Sequence, residues 1–210
     1  MVPNLGLTTL LVIDPQRELN PASNSARAPC LPSGLVAYWA GSADALGARR
    51  EGGHEMGNTR TIWEGDIAPD FTLKDHHNRD FKLSEFAGRR VLLSFHPLAW
   101  TPVCAEQMRG LESRKAELDR LNTVAVGISV DSFPAKHAWA KELGLKETRL
   151  LCDFWPHGAV AHAMGVFRKE DGFSERANIL VDESGRIVLI KVYDIPQLPD
   201  LDEVIAILKK

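Results

Sequence analysis

The sequence is poor in cysteine, and this scarcity excludes several kinds of site. Only three of the 210 residues are cysteines, an odd number spread far apart, so they form neither a disulfide framework nor a zinc site of recognised spacing. Among the seven histidines, His157 and His162 are five positions apart and miss the i, i+4 face that paired ligands need. We therefore expect no metal, no cofactor and a reducing, cytoplasmic compartment.

The chain also lacks an excess of basic charge and any long hydrophobic run. Its formal net charge is −3 at pH 7, so neither nucleic acid nor a membrane surface is an expected partner. Residues 5–13 are apolar, but they have no basic leader and are interrupted by Thr8 and Thr9. We predict that this run is neither a signal peptide nor a membrane span.

Residues 1–55 differ in composition from the rest of the chain. They contain no lysine and no phenylalanine, and such a break usually marks a separate segment. We predict an atypical, poorly ordered extension over residues 1–55 and one domain over residues 56–210. Two explanations remain. The segment is a regulatory arm, or the start is mis-assigned and translation begins at Met56. The second is suggested by the preceding Arg-Glu-Gly-Gly, which purine-rich codons like those of a bacterial ribosome-binding site can encode. Cys30 lies in this segment and receives no role.

From residue 61 onward the pattern alternates strands and helices with short connections. That order, closing with a hairpin and a helix, predicts an α/β fold with a central mixed sheet and helices on both faces, as in the thioredoxin-like architecture. The predicted strands are residues 91–95, residues 124–130, a strand ending at Cys152, residues 178–181 and residues 187–192. Four helices are predicted. The first is long and carries Cys104 and Leu121, the second has Ala135, Ala138, Trp139 and Leu143 on its apolar face, the third opens at Trp155-Pro156, and the fourth is capped and follows Asp200.

Cys104 follows the buried strand 91–95 and lies in the first turn of the predicted long helix. A helix N-terminus presents unpaired amide donors and about half a positive charge, which favour a thiolate over a thiol. Free cysteine is also among the most buried residue types and often only fills a core. The spacing alone leaves a reactive thiol and a packed thiol equally open.

Four segments give the sequence a family resemblance. Residues 65–71 (Gly-Asp-Ile-Ala-Pro-Asp-Phe), residues 83–88 (Leu-Ser-Glu-Phe-Ala-Gly) and the signature Pro97, Thr101 and Cys104 resemble the peroxiredoxin family. Residues 151–158 (Leu-Cys-Asp-Phe-Trp-Pro-His-Gly) are similar to the one-cysteine branch related to alkyl hydroperoxide reductase E. The resemblance covers about residues 61–208.

The resemblance implies a thiol-specific peroxidase that reduces hydrogen peroxide and organic hydroperoxides. In that family Cys104 would attack the peroxide and become a sulfenic acid, recycled by a thioredoxin-type or glutaredoxin-type reductant. Thr101 would contact the peroxide, Pro97 would cover the thiolate, and Arg176, identified from its Arg-Ala-Asn-Ile-Leu-Val-Asp context, would complete the site. The resemblance also implies a homodimer.

Three positions depart from what is frequent in the family. Gln107 stands where most relatives carry an acidic residue, and Trp100 takes a position often held by phenylalanine, which suits a pocket rim or a dimer contact. His96 stands where an aromatic is frequent, and three roles are open: packing, a contact with the pocket, or a contact at the shared dimer edge.

The resolving thiol is the open question. The position five after Cys104 is Arg109, and no cysteine follows the last helix, so Cys152 is the remaining candidate within the domain. It would pair with Cys104 only if the first turn of the helix unwinds, because a disulfide needs Cα atoms within about 7 Å. Cys152 is therefore either a possible resolving residue or an inert packed thiol.

Two other functions remain as alternatives. Thr101 stands where a Cys-x-x-Cys motif would have its first cysteine, so disulfide exchange would have to use a one-thiol route. The second alternative is a peroxide sensor or holdase, in which oxidation of Cys104 changes the assembly without significant turnover.

Overall fold

A computed structural model describes residues 62–210 of the protein. The predicted extension 1–55, the alternative start at Met56 and Cys30 lie outside the described residues. Described strands are β1 (Thr72–Asp75), β2 (Asp80–Lys82), β3 (Arg90–Phe95), β4 (Thr123–Ser129), β5 (Arg149–Cys152), β6 (Phe167–Arg168), β7 (Phe173–Ser174), β8 (Arg176–Val181) and β9 (Ile187–Tyr193). Described α-helices are α1 (Pro102–Ser113), α2 (Lys115–Arg120), α3 (Phe133–Leu143), α4 (Ala159–Ala163) and α5 (Leu201–Leu208), and a 3-10 helix spans Leu83–Phe86.

Seven strands form one mixed sheet in the order β2-β1-β5-β4-β3-β8-β9. Strands β3, β4 and β5 are parallel to one another, whereas β8 runs antiparallel to β3. The carboxyl ends of the three parallel strands therefore meet at one edge of the sheet. Phe95 at the end of β3 is in register with Ala177, so Arg176 at the start of β8 reaches the same edge. The register thus brings Arg176 beside the loop that follows β3.

Each face of the sheet is covered by its own hydrophobic cluster, because successive residues of a strand point to opposite faces. Leu93 of β3 belongs to a cluster that includes Val160 of α4. Leu92 packs on the opposite face with Met108 of α1 and Trp139 of α3. The predicted central mixed sheet with helices on both faces is confirmed.

The predicted hairpin and closing helix are also confirmed. Strands β8 and β9 pair as antiparallel neighbours, joined by a turn through Gly185, whose φ of 82° suits glycine. Helix α5 begins after Asp200, whose carboxylate accepts a hydrogen bond from the amide of Asp202 at 2.8 Å. This bond satisfies one of the unpaired donors of the first helical turn.

Three of the helix predictions are corrected by the structure. The predicted long helix behind Cys104 is broken, because Arg114 leaves helical geometry with φ −97° and ψ 3° and separates α1 from α2. Its guanidinium bonds Glu117 and Asp202. In α3, Ala138 is exposed, whereas Lys136 is buried. The apolar face of α3 is therefore rotated from the predicted one and carries a lysine.

The helix predicted to open at Trp155-Pro156 begins only at Ala159. Gly158 has φ 67°, a left-handed conformation that cannot continue an α-helix. The carboxylate of Asp153 accepts hydrogen bonds from the amides of Val160 and Ala161. These are orphan donors of a first helical turn, so Asp153 fixes the later start.

Among residues 62–210, no helix combines the length and apolar character needed to cross a membrane.

Candidate active site

Cys104 is completely buried in the first turn of α1. Thr101 is the N-cap residue, and Pro102 occupies the first helical position, where its missing N–H is not needed. The amide of Ala105 donates to the carbonyl of Thr101 at 3.0 Å. Cys104 comes before this bond, among the first-turn residues whose amides have no partner within the helix. The sulfur therefore lies at the positive end of the helix, where a negative charge is stabilised.

The guanidinium of Arg176 lies against Cys104 and is only 2% exposed. Its Nη2 donates to Cys104 Sγ at 3.4 Å. The other two nitrogens are held in place: Nη1 donates to Gln107 Oε1 at 2.5 Å, and Nε donates to the carbonyl of Ile195 at 2.8 Å. A guanidinium fixed at two nitrogens presents the third to the sulfur in one orientation.

Gln107 links the arginine to a buried polar network. Its Nε2 donates to Ser94 Oγ at 2.8 Å and to the carbonyl of Phe95 at 3.1 Å, while Ser94 Oγ donates to Asn178 Oδ1 at 2.8 Å. Ser94 and Asn178 are paired across β3 and β8. Sequence analysis missed both residues, although polar residues at buried strand positions were a usable signal, since such groups need partners.

Thr101 directly precedes α1 and is only partly buried. Its Oγ1 donates to the carbonyl of Leu98 at 3.1 Å and makes no side-chain capping bond to α1. A hydroxyl that donates one hydrogen bond still has lone pairs that accept others. The hydroxyl of Thr101 is therefore chemically able to accept from a peroxide.

The loop before α1 is tied down by Asp131. The amide of Ala99 donates to Asp131 Oδ2 at 2.9 Å, and Ser129 Oγ donates to the same oxygen at 2.6 Å. Pro97 is buried within this loop. Trp100 has φ 66° and a side chain that is 56% exposed. A positive φ is uncommon for a bulky residue, so the loop holds an unusual conformation next to the thiol.

His96 is completely buried, which excludes it from an exposed dimer edge. Its ring packs against Trp139 with centroids 5.3 Å apart. Burial lowers the pKa of His96 well below its usual value, and the cations of Lys136 and Arg176 lower it further. Among the described residues, no hydrogen-bond partner reaches either ring nitrogen. His96 is a neutral, packed histidine.

Cys152 ends β5 and is 7% exposed. Burial raises the pKa of its thiol to about 11, and the cation of Lys136 opposes that effect only partly. Cys104 and Cys152 are both free thiols in the structure. A thiol with so high a pKa is a weak nucleophile at neutral pH, because the thiolate is the reacting form.

Within residues 62–210, no group of three His, Cys, Asp or Glu side chains is placed to hold a metal ion.

The chain is similar to known proteins over most of the described part. Residues 65–190 match the AhpC/TSA family. Alkyl hydroperoxide reductase E of Mycobacterium tuberculosis is 40% identical over 124 residues, which cover 59% of this chain and 80% of the relative. The putative peroxiredoxin bcp of Haemophilus influenzae is 38% identical over 148 residues, 67% of this chain and 92% of the relative.

A solved structure gives the same result for the fold. The reduced 2-Cys peroxiredoxin of Plasmodium vivax superposes with a TM-score of 0.66 at 27% sequence identity, over 70% of this chain and 81% of that protein. The predicted thioredoxin-like fold is confirmed.

Proposed function

The chain belongs to the AhpC/TSA family and is a peroxidase, and we propose that Cys104 is the residue that attacks the peroxide. The observation that carries this assignment is the contact of 3.4 Å between Arg176 Nη2 and Cys104 Sγ, in the first turn of α1. The guanidinium and the helix N-terminus both place positive charge next to the sulfur of Cys104. The peroxide and a thiol reductant are its two substrates.

In the proposed first step, the Cys104 thiolate attacks one oxygen of the peroxide, and the O–O bond breaks. The sulfur gains that oxygen as a sulfenic acid, and the other oxygen leaves as an alkoxide or hydroxide that takes up a proton. Charge moves from sulfur to the leaving oxygen during this step. Arg176 donates hydrogen bonds to both atoms in turn, and a fixed donor needs no reorganisation at the moment of reaction.

The loop residues complete the proposed site. Thr101 accepts a hydrogen bond from the peroxide and helps to hold the O–O bond in line with the sulfur. Pro97 is buried beside the fully buried His96, and we assign it the task of keeping water from the thiolate. These roles make the site suited to both hydrogen peroxide and organic hydroperoxides.

For the return step we propose a thioredoxin-type or glutaredoxin-type reductant that acts directly on the oxidised Cys104. Its thiol attacks the sulfenic sulfur, which gives a mixed disulfide and water, and a second thiol then releases Cys104. The pKa of about 11 at Cys152 supports an external thiol, because Cys152 is protonated at neutral pH. We also propose a cytoplasmic location, because three widely spaced cysteines do not make a disulfide framework.

We also propose that the protein forms a homodimer through the sheet edge at which β3, β4 and β5 end. Exposed aromatic side chains follow each of these strands: Trp100 is 56% exposed, Phe133 41% and Trp155 81%. Exposed apolar groups at one edge support an interface. Sedimentation of Trp155→Glu tests this edge. Trp63→Glu, which changes another exposed tryptophan, is the control, and we expect monomers from Trp155→Glu only.

Peroxide consumption by Cys104→Ser and Cys152→Ser, each with thioredoxin and with glutaredoxin, tests the proposed chemistry. We expect no turnover from Cys104→Ser and nearly full turnover from Cys152→Ser.

Mass spectrometry of the wild type without reductant, after one equivalent of peroxide, should show one added oxygen on Cys104. Loss of two hydrogens that link Cys104 to Cys152 would make Cys152 the resolving thiol. Oxidation of Cys104 without turnover under any reductant would favour a sensor.

A further inference from the structure

Arg176 stands at one end of a buried series of hydrogen bonds, the Gln107 network. Arg176 Nη1 donates to Gln107 Oε1, Gln107 Nε2 donates to Ser94 Oγ, and Ser94 Oγ donates to Asn178 Oδ1. All four residues are at most 4% exposed. Because bulk water does not reach these groups, each one depends on its partner in the protein.

The sheet itself holds the last two members of the network together. Asn178 lies two residues after Arg176 on β8, so the two side chains point to the same face of the sheet. On β3, Ser94 is in register with Asn178. Asn178 Nδ2 donates to Tyr193 Oη of β9 at 3.5 Å, which leaves Asn178 Oδ1 facing Ser94. The network thus begins and ends on β8, with Gln107 and Ser94 between the two ends.

The direction of the hydrogen bonds is fixed by the chemistry of Arg176. A guanidinium only donates, so Gln107 must turn its oxygen toward Arg176 and its NH₂ group away from it. That NH₂ group finds acceptors in Ser94 Oγ at 2.8 Å and in the carbonyl of Phe95 at 3.1 Å. The hydroxyl of Ser94 accepts from Gln107 and must therefore direct its own hydrogen elsewhere, and Asn178 Oδ1 accepts it at 2.8 Å.

Loss of the acceptor at Asn178 would turn this hydroxyl against the network. Within residues 62–210, the other side chain that hydrogen-bonds Ser94 Oγ is that of Gln107, whose oxygen is an acceptor. Ser94 would then compete with Arg176 for this oxygen, and a flipped carboxamide would set an NH₂ donor against the guanidinium. Either result disturbs the guanidinium that contacts Cys104 at 3.4 Å.

We propose that Asn178 is a positioning residue of the peroxidase. It accepts the hydrogen bond of Ser94 and thereby keeps the oxygen of Gln107 on Arg176. The proposal rests on the assignment of Cys104 as the attacking residue, because Arg176 acts on that sulfur. Asn178 is separated from Arg176 by three successive hydrogen bonds and acts through each of them.

Three variants separate the orientation of Gln107 from the simple loss of a hydrogen bond. Asn178→Leu keeps nearly the size of asparagine and leaves the hydroxyl of Ser94 without its acceptor. Ser94→Ala removes that hydroxyl, while Gln107 keeps its bonds to Arg176 and to the carbonyl of Phe95. The double variant lacks both groups, and removing both partners of a buried hydrogen bond costs less than removing one.

Thr123→Val is the control for lost stability. Thr123 is a buried residue of β4, and its hydroxyl donates to the carbonyl of Leu121 at 3.0 Å. It is in register with Arg90 at the start of β3, whereas Ser94 lies near the end of that strand. Stopped-flow oxidation of Cys104 by hydrogen peroxide gives the rate, and urea unfolding gives the stability of each protein.

We expect Asn178→Leu to lower the oxidation rate about fivefold, which is roughly what one neutral hydrogen bond contributes. Ser94→Ala should lower the rate about twofold at most, and its addition to Asn178→Leu should restore the rate to that level. Thr123→Val should lower the stability and leave the rate unchanged. A structural role alone would not let a second substitution in the interior raise the rate.

A double variant as slow as Asn178→Leu would overturn the proposal, and so would an Asn178→Leu rate equal to that of the wild type. A rate loss in Thr123→Val equal to that in Asn178→Leu would also overturn it, because lost stability would then explain the effect. Retained turnover in Cys104→Ser would instead overturn the assignment of Cys104, so the two failures are distinguishable.

Discussion

Arg176 donates a hydrogen bond from Nη1 to the side-chain oxygen of Gln107 at 2.5 Å, so the guanidinium beside Cys104 is oriented by a neutral partner. Gln107 is itself 4% exposed and is fixed from its other end by Ser94 and Phe95. The carboxamide therefore orients the arginine without cancelling its charge. The full positive charge of Arg176 therefore remains directed at the sulfur.

Gln107→Leu should lower the rate of Cys104 oxidation at pH 7 by tenfold or more, roughly the effect of misplacing one fixed donor. It leaves Nη1 of Arg176 buried without its acceptor, and the free energy of unfolding should fall by about 1–3 kcal/mol. Stopped-flow measurement of peroxide oxidation and urea unfolding check the two effects. Gln107→Glu is the comparison variant: it keeps the acceptor for Arg176 but loses the donor to the carbonyl of Phe95 and adds a negative charge, so its rate should fall less than that of Gln107→Leu. Equal losses in both variants would contradict this role.

Arg176→Lys should reduce the oxidation rate by about 10²-fold, although the positive charge is kept. An ammonium cannot bond Cys104, Gln107 and the carbonyl of Ile195 with one planar group, as the guanidinium does. The second-order rate constant with hydrogen peroxide measures the effect. Arg186→Lys, at an exposed position, serves as the control. Charge alone would be sufficient if the rate of Arg176→Lys stayed within a factor of about three of the wild type, roughly the scatter expected for a surface substitution.

Asp131→Ala should weaken the loop before α1, because Asp131 accepts the bond from the amide of Ala99. We expect the rate of Cys104 oxidation to fall about tenfold, since a displacement of about 1 Å can cost more than that. Asp131→Asn keeps an oxygen that accepts the same bond and should retain most of the rate. Single-turnover oxidation at pH 7 compares the two variants. Equally low rates in both would mean that the charge of Asp131, not its hydrogen bond, is what matters.

The sequence and the structure agree where local patterns are decisive. The strand 91–95 and the position of Cys104 in a first helical turn follow from apolar periodicity. Arg176 had no local signal, because its contact with Cys104 spans 72 residues and depends on the register of β3 with β8; only the family resemblance pointed to it.

Other features depended on tertiary contacts that a pattern does not reveal. The break at Arg114 involves an ion pair with Asp202, on a helix 88 residues away. The late start of α4 depends on capping by Asp153. Lys136 was missed because a lysine on a helix is ordinarily exposed, although its spacing to Trp139 and Leu143 matches the buried face.

Gly127→Ala and Gly110→Ala should change stability in opposite directions. A Cβ atom on Gly127, in β4, would lie 2.2 Å from Sδ of Met108 on α1, whereas one on Gly110 would meet Leu201 at an ordinary 3.5 Å. We expect Gly127→Ala to lower the free energy of unfolding by about 1–3 kcal/mol through overpacking. Gly110→Ala should raise it by about 0.5–1 kcal/mol through helix propensity.

Urea unfolding of both glycine variants provides the measurement. Met108 lies one turn beyond Cys104 on α1, so Gly127→Ala should also slow Cys104 oxidation, while Gly110→Ala should leave the rate unchanged. A Gly127→Ala protein as stable as the wild type would mean that Met108 moves aside without cost.

His76 should make the protein less stable as the pH falls from about 6.5 to about 4. Its ring is 5% exposed, and Nδ1 accepts a hydrogen bond from the amide of Leu150 at 3.1 Å. Burial, together with the charges of His77 and His137, lowers the pKa of His76 from 6.5 to about 4. Between these values the unfolded chain binds a proton that the folded protein does not, so the stability contribution is complete above pH 6.5 and is lost as the pH falls toward 4.

The loss from this one group should reach about 3 kcal/mol below pH 4. His76→Asn keeps an oxygen that can accept the bond from Leu150 but does not titrate, so its free energy of unfolding should depend less on pH across this window. His96 has a lowered pKa as well, but it is present in both proteins, and the difference between them isolates His76. Urea unfolding at pH 7, 6, 5 and 4.5 gives the comparison, with the exposed His162→Asn as control. Parallel pH profiles for wild type and His76→Asn would mean that His76 has the same pKa in the folded and unfolded states.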